Sequence, residues 1–270
     1  MSYWMSVRRR LAAAALAAVD VSALAIAYTG NMTDEIVTMG DGKQYRLLTL
    51  ISSGTLSISA EVKADVWLCG GGARGGGTPS DTATHGGGGG YVNSAYNQSI
   101  QNTVATVGAA SGASSFGGIT ANGATGANGG SGGGQGGYPW NSPKGTGAGV
   151  TTYPFGDTTY FAGKPHCAGG SGGSFEYGDG GDYNRAGSGG SNGSDGSGTQ
   201  YQVVPIQVPG GLLGGGYGGK TINGYSWDGG NASFYGSGGG GRGLNWKDAF
   251  ANNGGSGYQG VIYVRIPLKQ

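Results

Sequence analysis

The sequence predicts a mainly β protein: an antiparallel β-sandwich with an inserted bundle of polyglycine helices of the polyproline II type, preceded by an α-helix. Three observations point there. Glycine supplies 66 of the 270 residues, in bursts such as 70–72, 86–90, 132–134, 214–216 and 238–241. Apolar runs with strand character lie on both sides of the glycine-rich stretch. Charged residues make up only 11% and aromatics 10%, whereas disordered chains are typically charge-rich and aromatic-poor. Glycine loses more conformational entropy on folding than any other residue. At this density it either leaves the chain slack or lets backbone pack on backbone, and the aromatics and low charge favour packing. Collagen is excluded, because no strict Gly-X-Y period persists and there are only eight prolines.

Residues 1–43 read as a docking or oligomerising helix and its linker. Arg8, Arg9 and Arg10 precede an Ala/Leu run that ends at Val19, in residues with high helix propensity. Leu16, Val19, Ala23 and Ile26 follow 3-4-3 spacing and make a narrow apolar seam. A secretory signal ending at Ala25-Ile26-Ala27 is one alternative, and a helix packed on its own domain is another. Asp20 interrupts the apolar stretch and argues against a membrane span.

Residues 44–270 read as the sandwich, with the glycine insertion at about 108–258. Strands are predicted at 45–51, 55–60, 65–69, 91–96, 103–107 and 261–266. If the last joins the same sheet, everything between 107 and 261 is one long excursion held at both ends. A structureless excursion of that length is improbable in a compact domain. Polyproline II offers an ordered alternative, with three residues per turn, about 3.1 Å rise and no internal hydrogen bonds. Its outward N–H and C=O groups must then be satisfied by neighbouring rods.

Several elements together resemble a known family. They are Val66-Trp67-Leu68-Cys69 running into glycine, five glycines followed by Tyr91-Val92, Gly112-Ala113-Ser114-Ser115-Phe116-Gly117-Gly118, and the closing Gly257-Tyr258-Gln259-Gly260-Val261-Ile262-Tyr263-Val264. Over about residues 54–267 the chain is similar to the glycine-rich domain of bacteriophage tail-fibre and minor tail proteins. A more distant likeness, to the glycine-rich ectodomain of anaplastic-lymphoma-type receptor kinases, comes with no kinase and few cysteines. The phage resemblance implies a β-sandwich carrying polyglycine helices and a virion structural role in host attachment, as an adhesin. It further implies a host-surface glycan or protein as partner and a homo-oligomer, with a trimer favoured by analogy with fibres. The N-terminal 50 residues are not covered by the resemblance and are read as this protein's own device for docking on other virion proteins. A secreted or capsid-decorating glycine-rich coat protein with no receptor role is the alternative.

The chemistry-bearing residues are few. No catalytic constellation, cofactor or metal site is expected. His85, His166, Cys69 and Cys167 have the right types for a metal but no close-paired spacing. The two cysteines leave one bridge and two thiols equally open. Repeated Gly-x-Gly-x-x-Gly is unavoidable at this glycine content and lacks its strand-turn-helix context. Glu176, Asp179 and Asp182 fit a solvated turn better than a cation or sugar site. The net charge of +1 lacks the basic footprint of a nucleic-acid binder. The stronger signal is aromatic. Tyr138, Trp140, Tyr153, Phe155, Tyr160, Phe161, Tyr225, Trp227 and Trp246 interrupt the glycine and are the receptor-binding candidates, since Tyr and Trp suit recognition surfaces. For any one of them, capping the bundle or packing on the sandwich is the simpler role.

Overall fold

A computed structural model of the chain describes residues 20–76, 84–132, 145–147, 153–164, 166–171, 175–176, 215–216, 221–222, 225–226, 228–245 and 253–268. The protein is mainly β. Its main sheet has eight antiparallel strands: β1 (Ile26–Tyr28), β2 (Met32–Thr38), β3 (Gln44–Leu50), β4 (Gly54–Cys69), β5 (Val92–Thr106), β6 (Ser114–Phe116), β7 (Ile119–Ala121) and β12 (Val261–Pro267). The order across the sheet is β2-β3-β12-β4-β5-β6-β7, with β1 also paired to β4. Among the described residues, four two-residue strands lie outside it. β8 (Phe175–Glu176) runs parallel to β11 (Leu244–Asn245), and β9 (Thr221–Ile222) runs antiparallel to β10 (Tyr225–Ser226).

The last strand completes the centre of the sheet. β12 is inserted between β3 and β4, with Val264 opposite both Leu48 and Val66. The glycine-rich excursion is therefore held at both ends by hydrogen-bonded strands. Alternation along the central strands sends side chains to two faces. One face carries Leu48, Leu50, Val66, Leu68, Ile262 and Val264, joined by Phe116 and Ala121 from β6 and β7. The opposite face carries Tyr45, Leu47, Trp67, Val261 and Tyr263, covered by Phe161 and Cys167. Burial on both faces explains the nearly continuous apolar run of β12. Each fully buried Leu or Ile contributes about 2 kcal/mol.

Two pairs of predicted strands are fused. Segments 55–60 and 65–69 are one strand, β4, and segments 91–96 and 103–107 are one strand, β5. Their pairing shifts register between Ser57 and Val62 and again between Ala64 and Val66. Such irregularities bend a long ribbon and break the period-two pattern that the sequence shows.

The helix read across Leu16, Val19, Ala23 and Ile26 is corrected where it is described. Leu16 and Val19 lie outside the described residues. Ala23 ends a short 3-10 turn, Val21–Ala23, and Ile26 opens β1 opposite Ile58. The cause is competition for the backbone. Asp20 accepts the Ser22 N–H at 3.0 Å and starts a new turn. Arg46 then takes the carbonyls of Val21 and Leu24 at 3.0 and 2.8 Å, groups that an α-helix would use internally. Nor does residue 44 open the sheet, because β1 and β2 already belong to it.

The glycine segments hydrogen-bond to one another with a period of three. In the 237–242 segment, Gly238 and Gly241 donate to Ala168 and Ser171, Gly239 and Arg242 to Ala73 and Gly76, and Gly240 to Gly230. Three residues along this segment, the donor meets the same neighbour three residues along it. The same step recurs where Gly72 and Gly75 donate to Tyr258 and Gly255, and where Ala73 and Gly76 donate to Gly88 and His85. Segment 237–242 also accepts from Gly216, Gly87, Gly255 and Tyr258. It is thus surrounded by segments 70–76, 84–90, 167–171, 215–216, 229–232 and 253–260. Segments 70–76 and 84–90 precede residue 108, so the network begins earlier than the predicted insertion. At many glycine positions the spacing admits no side chain. A Cβ on Gly72, Gly86, Gly170, Gly239 or Gly255 would overlap a backbone carbonyl of a neighbouring segment.

This packing sets a test. Gly239→Ala places a methyl into the Gly255 carbonyl and is expected to cost at least ~3 kcal/mol through overpacking and lost backbone bonds. Gly118→Ala meets nothing within 4 Å and is strained only by its φ of 86°, so it should cost only about 1 kcal/mol. Urea unfolding midpoints distinguish the two. Equal losses would mean that close packing is not what requires glycine at 239.

Candidate functional site

The β2–β3 turn and the loop 153–164 meet at one end of the sheet. The turn closes through Gly42 N–H to the Met39 carbonyl at 2.9 Å, with Gly42 at φ 75°. Asp41 organises it by accepting the Lys43 N–H at 3.0 Å and the Tyr45 hydroxyl at 2.7 Å. The loop carries a 3-10 turn, Pro154–Gly156, in which Phe155 has φ 56°. A left-handed Phe is an uncommon, strained conformation.

Asp157 fastens the loop to the turn. Its carboxylate accepts the N–H of Gly40 at 2.7 Å and those of Thr159 and Tyr160 at 2.9 Å. Burial opposes its ionisation, but the N–H groups of Gly40, Tyr160 and Thr159 outweigh it and hold the carboxyl below its ordinary value. The Tyr45 hydroxyl and the Lys43 N–H do the same for Asp41. Tyr45 in turn is pushed up to about 12 by burial and by its bond to Asp41.

Arg265 is the third part of the site. It is a cation in an otherwise apolar strand, and register places it opposite Asp65. Its Nε donates to Asp65 Oδ2 at 2.9 Å. The guanidinium lies 4.8 Å from the Tyr45 ring centroid and 4.3 Å from that of Phe155, within cation–π range of both. A cavity of about 420 Å³ opens here, lined by Gly40, Asp41, Phe155, Asp157, Thr159 and Arg265. A second, of about 810 Å³, lies beside Lys43, Tyr45, Pro267 and Leu268. Ionised carboxylates, hydroxyls, a guanidinium and aromatic edges equip this end for non-covalent recognition of a polar ligand.

The aromatic candidates separate into groups. Tyr153, Phe155 and Tyr160 are half-buried on the 153–164 loop, and Phe155 lines the cavity. Phe161 is corrected: it is 3% exposed and packs 5.2 Å from Tyr263, so it belongs to the core. Tyr225 lies in β10, and only its backbone is described. Tyr138, Trp140, Trp227 and Trp246 lie outside the described residues.

The sequence reading missed the hub beneath the loop. His166 is 2% exposed and surrounded by Trp67, Phe161, Phe234, Tyr235 and Tyr263. Its ring stacks on Tyr235 with an interplanar angle of 15°, and its Nε2 lies 2.8 Å from the Tyr263 hydroxyl. Burial pushes the imidazole down to about 4, against a smaller opposing effect of the Lys164 backbone. Among the described residues, no group of three or more His, Cys, Asp or Glu side chains is placed to hold a metal ion. No helix among them is long and apolar enough to cross a membrane.

No protein-family model matches the chain, and no curated protein matches it.

His166 makes stability pH-dependent in a defined window. The unfolded imidazole takes up a proton near pH 6.5, while the folded one resists until about pH 4. Stability is complete above pH 6.5 and falls by about 3 kcal/mol as pH drops to 4. Asp41 and Asp157 contribute their losses below that window, because their folded values lie below the ordinary 3.8. Denaturation across pH 4–7 should show this slope, and His166→Gln should flatten it. A slope unchanged in the variant would assign the loss to another group.

Proposed function

We propose that this chain is a structural protein of a virion appendage, a phage tail or fibre, that presents loops for host-surface attachment. In this reading the glycine segments are polyproline II-type helices, the main sheet folds into a sandwich around its Leu/Ile core, and the two form one scaffold. The supporting observation is the period-three hydrogen bonding between glycine segments, which fits three residues per turn. A scaffold so braced holds its interrupting loops rigidly, and rigidly held loops are where binding sites gather. The loop 153–164 is such a case: Phe155 lines the Asp157 and Arg265 cavity, and Tyr153 and Tyr160 lie half-buried on the same loop. The resemblance to phage tail proteins supplies the setting. Its partners are then a host-surface glycan or protein, and other virion proteins reached through the segment ahead of Asp20. Assembly as a homotrimer follows the analogy with fibres.

The test uses assembled particles that carry Tyr153→Ala together with Phe155→Ala. Adsorption to host cells should fall about tenfold or more, while particle yield and chain incorporation stay normal. Normal adsorption would remove the receptor role of this loop and favour the coat-protein alternative.

A further inference from the structure

Cys69 and Cys167 stand far apart in sequence and close together in the fold. Cys69 ends β4, opposite Val92 of β5 and Val261 of β12. Cys167 opens the glycine segment 167–171 and donates its N–H to the Tyr235 carbonyl at 2.9 Å. Both are completely buried, and both are free thiols here.

Three features show that the pocket is built around the two sulfurs. The residue that faces both is Gly236, at φ 69°; a Cβ there would lie 2.5 Å from Cys167 Sγ and 2.9 Å from Cys69 Sγ. The absence of that side chain leaves room in which the sulfurs meet. Cys167 itself has φ 58°, a conformation that glycine adopts without strain and other residues do not. In a chain so rich in glycine, this position nevertheless carries a thiol. Lastly, the two thiols share a hydrogen bond, and burial together with that bond raises the Cys167 thiol well above its ordinary value. A thiol so held is unreactive in the closed protein.

We propose that Cys69 and Cys167 are a disulfide site, joined when the chain folds in an oxidising compartment, and that the bond staples the sheet to the glycine bundle. The oxidant is a small-molecule or protein disulfide. One cysteine thiolate attacks a sulfur of that disulfide and releases one reduced thiol. The second thiolate attacks the resulting mixed disulfide and releases the other. The two protons given up by the cysteines are taken up by the two departing thiolates, so one oxidant disulfide is reduced to two thiols for each bond formed, with no net release of protons. Because both sulfurs are inaccessible once the bundle has closed, the exchange takes place during folding. The bond closes a loop of about one hundred residues, long enough for a large effect on the unfolded chain.

The full chain is refolded with oxidised and reduced glutathione, then alkylated in denaturant and weighed intact. The oxidised product should lack two hydrogens, carry no alkyl group, and yield one cross-linked peptide pair containing both cysteines. It should melt about 10 °C above the same protein refolded in reductant. Cys69→Ser and Cys167→Ser should each abolish the difference between the two conditions. Two alkylatable thiols after oxidative refolding would overturn the proposal. So would a bond that leaves the melting temperature unchanged or lowers it. If the serine variants fail to fold, the comparison of oxidised with reduced wild-type protein still decides the matter.

Discussion

Backbone hydrogen bonding between glycine segments is the constraint on which the rest of this structure depends. A backbone buried outside helix and sheet must still satisfy every N–H and C=O. In the 237–242 segment the donors turn to a new neighbour at each residue and return to the first after three, while other segments donate to its carbonyls. Such an arrangement works only where segments approach closely enough for direct bonds, and any Cβ facing inward would prevent it. The entropy lost by ordering so much glycine is unfavourable; the dense network of bonds and the exclusion of water from it offset that loss.

The sheet and the glycine network are mutually dependent. β12 inserts between β3 and β4, so the sheet is complete only after the chain has passed through the glycine-rich region. That region in turn gains a fixed floor: Trp67 and Tyr263 from the sheet meet Phe161, His166 and Tyr235 from the loops. The neutral imidazole of His166 joins the two halves through its contact with the Tyr263 hydroxyl. Above this joint, Asp157 and Arg265 hold the 153–164 loop against the β2–β3 turn. The loop 153–164 therefore rests on the buried aromatic cluster around His166.

How much of this was legible depended on the range of the signal. The cores of β3, β4, β5 and β12 were visible because apolar periodicity is local. β2 was missed because Asp34 and Glu35 dilute its pattern, as suits an edge strand. β1 was hidden inside an apparent helical seam, since Ala23 and Ile26 have helix-compatible spacing but Arg46 and β4 claim the backbone there. Phe161 looked like the half-buried aromatics beside it because nothing local marks it as core. The long-range site was least legible. Asp157 meets Gly40 across 117 residues, and the neighbours of His166 come from several separate stretches of chain. Arg265 alone left a trace, as the one charge within an apolar strand.

The most direct measurement is native-state hydrogen exchange of the glycine amides, resolved by residue. Within a packed bundle, the N–H groups of Gly238, Gly239, Gly240 and Gly241 should exchange only through global unfolding, with the same protection as Leu48 and Val264 in the central strands. Exchange of those glycine amides at the rate of an unstructured peptide, while Leu48 and Val264 remain protected, would contradict it: the sheet would then be ordered and the glycine slack.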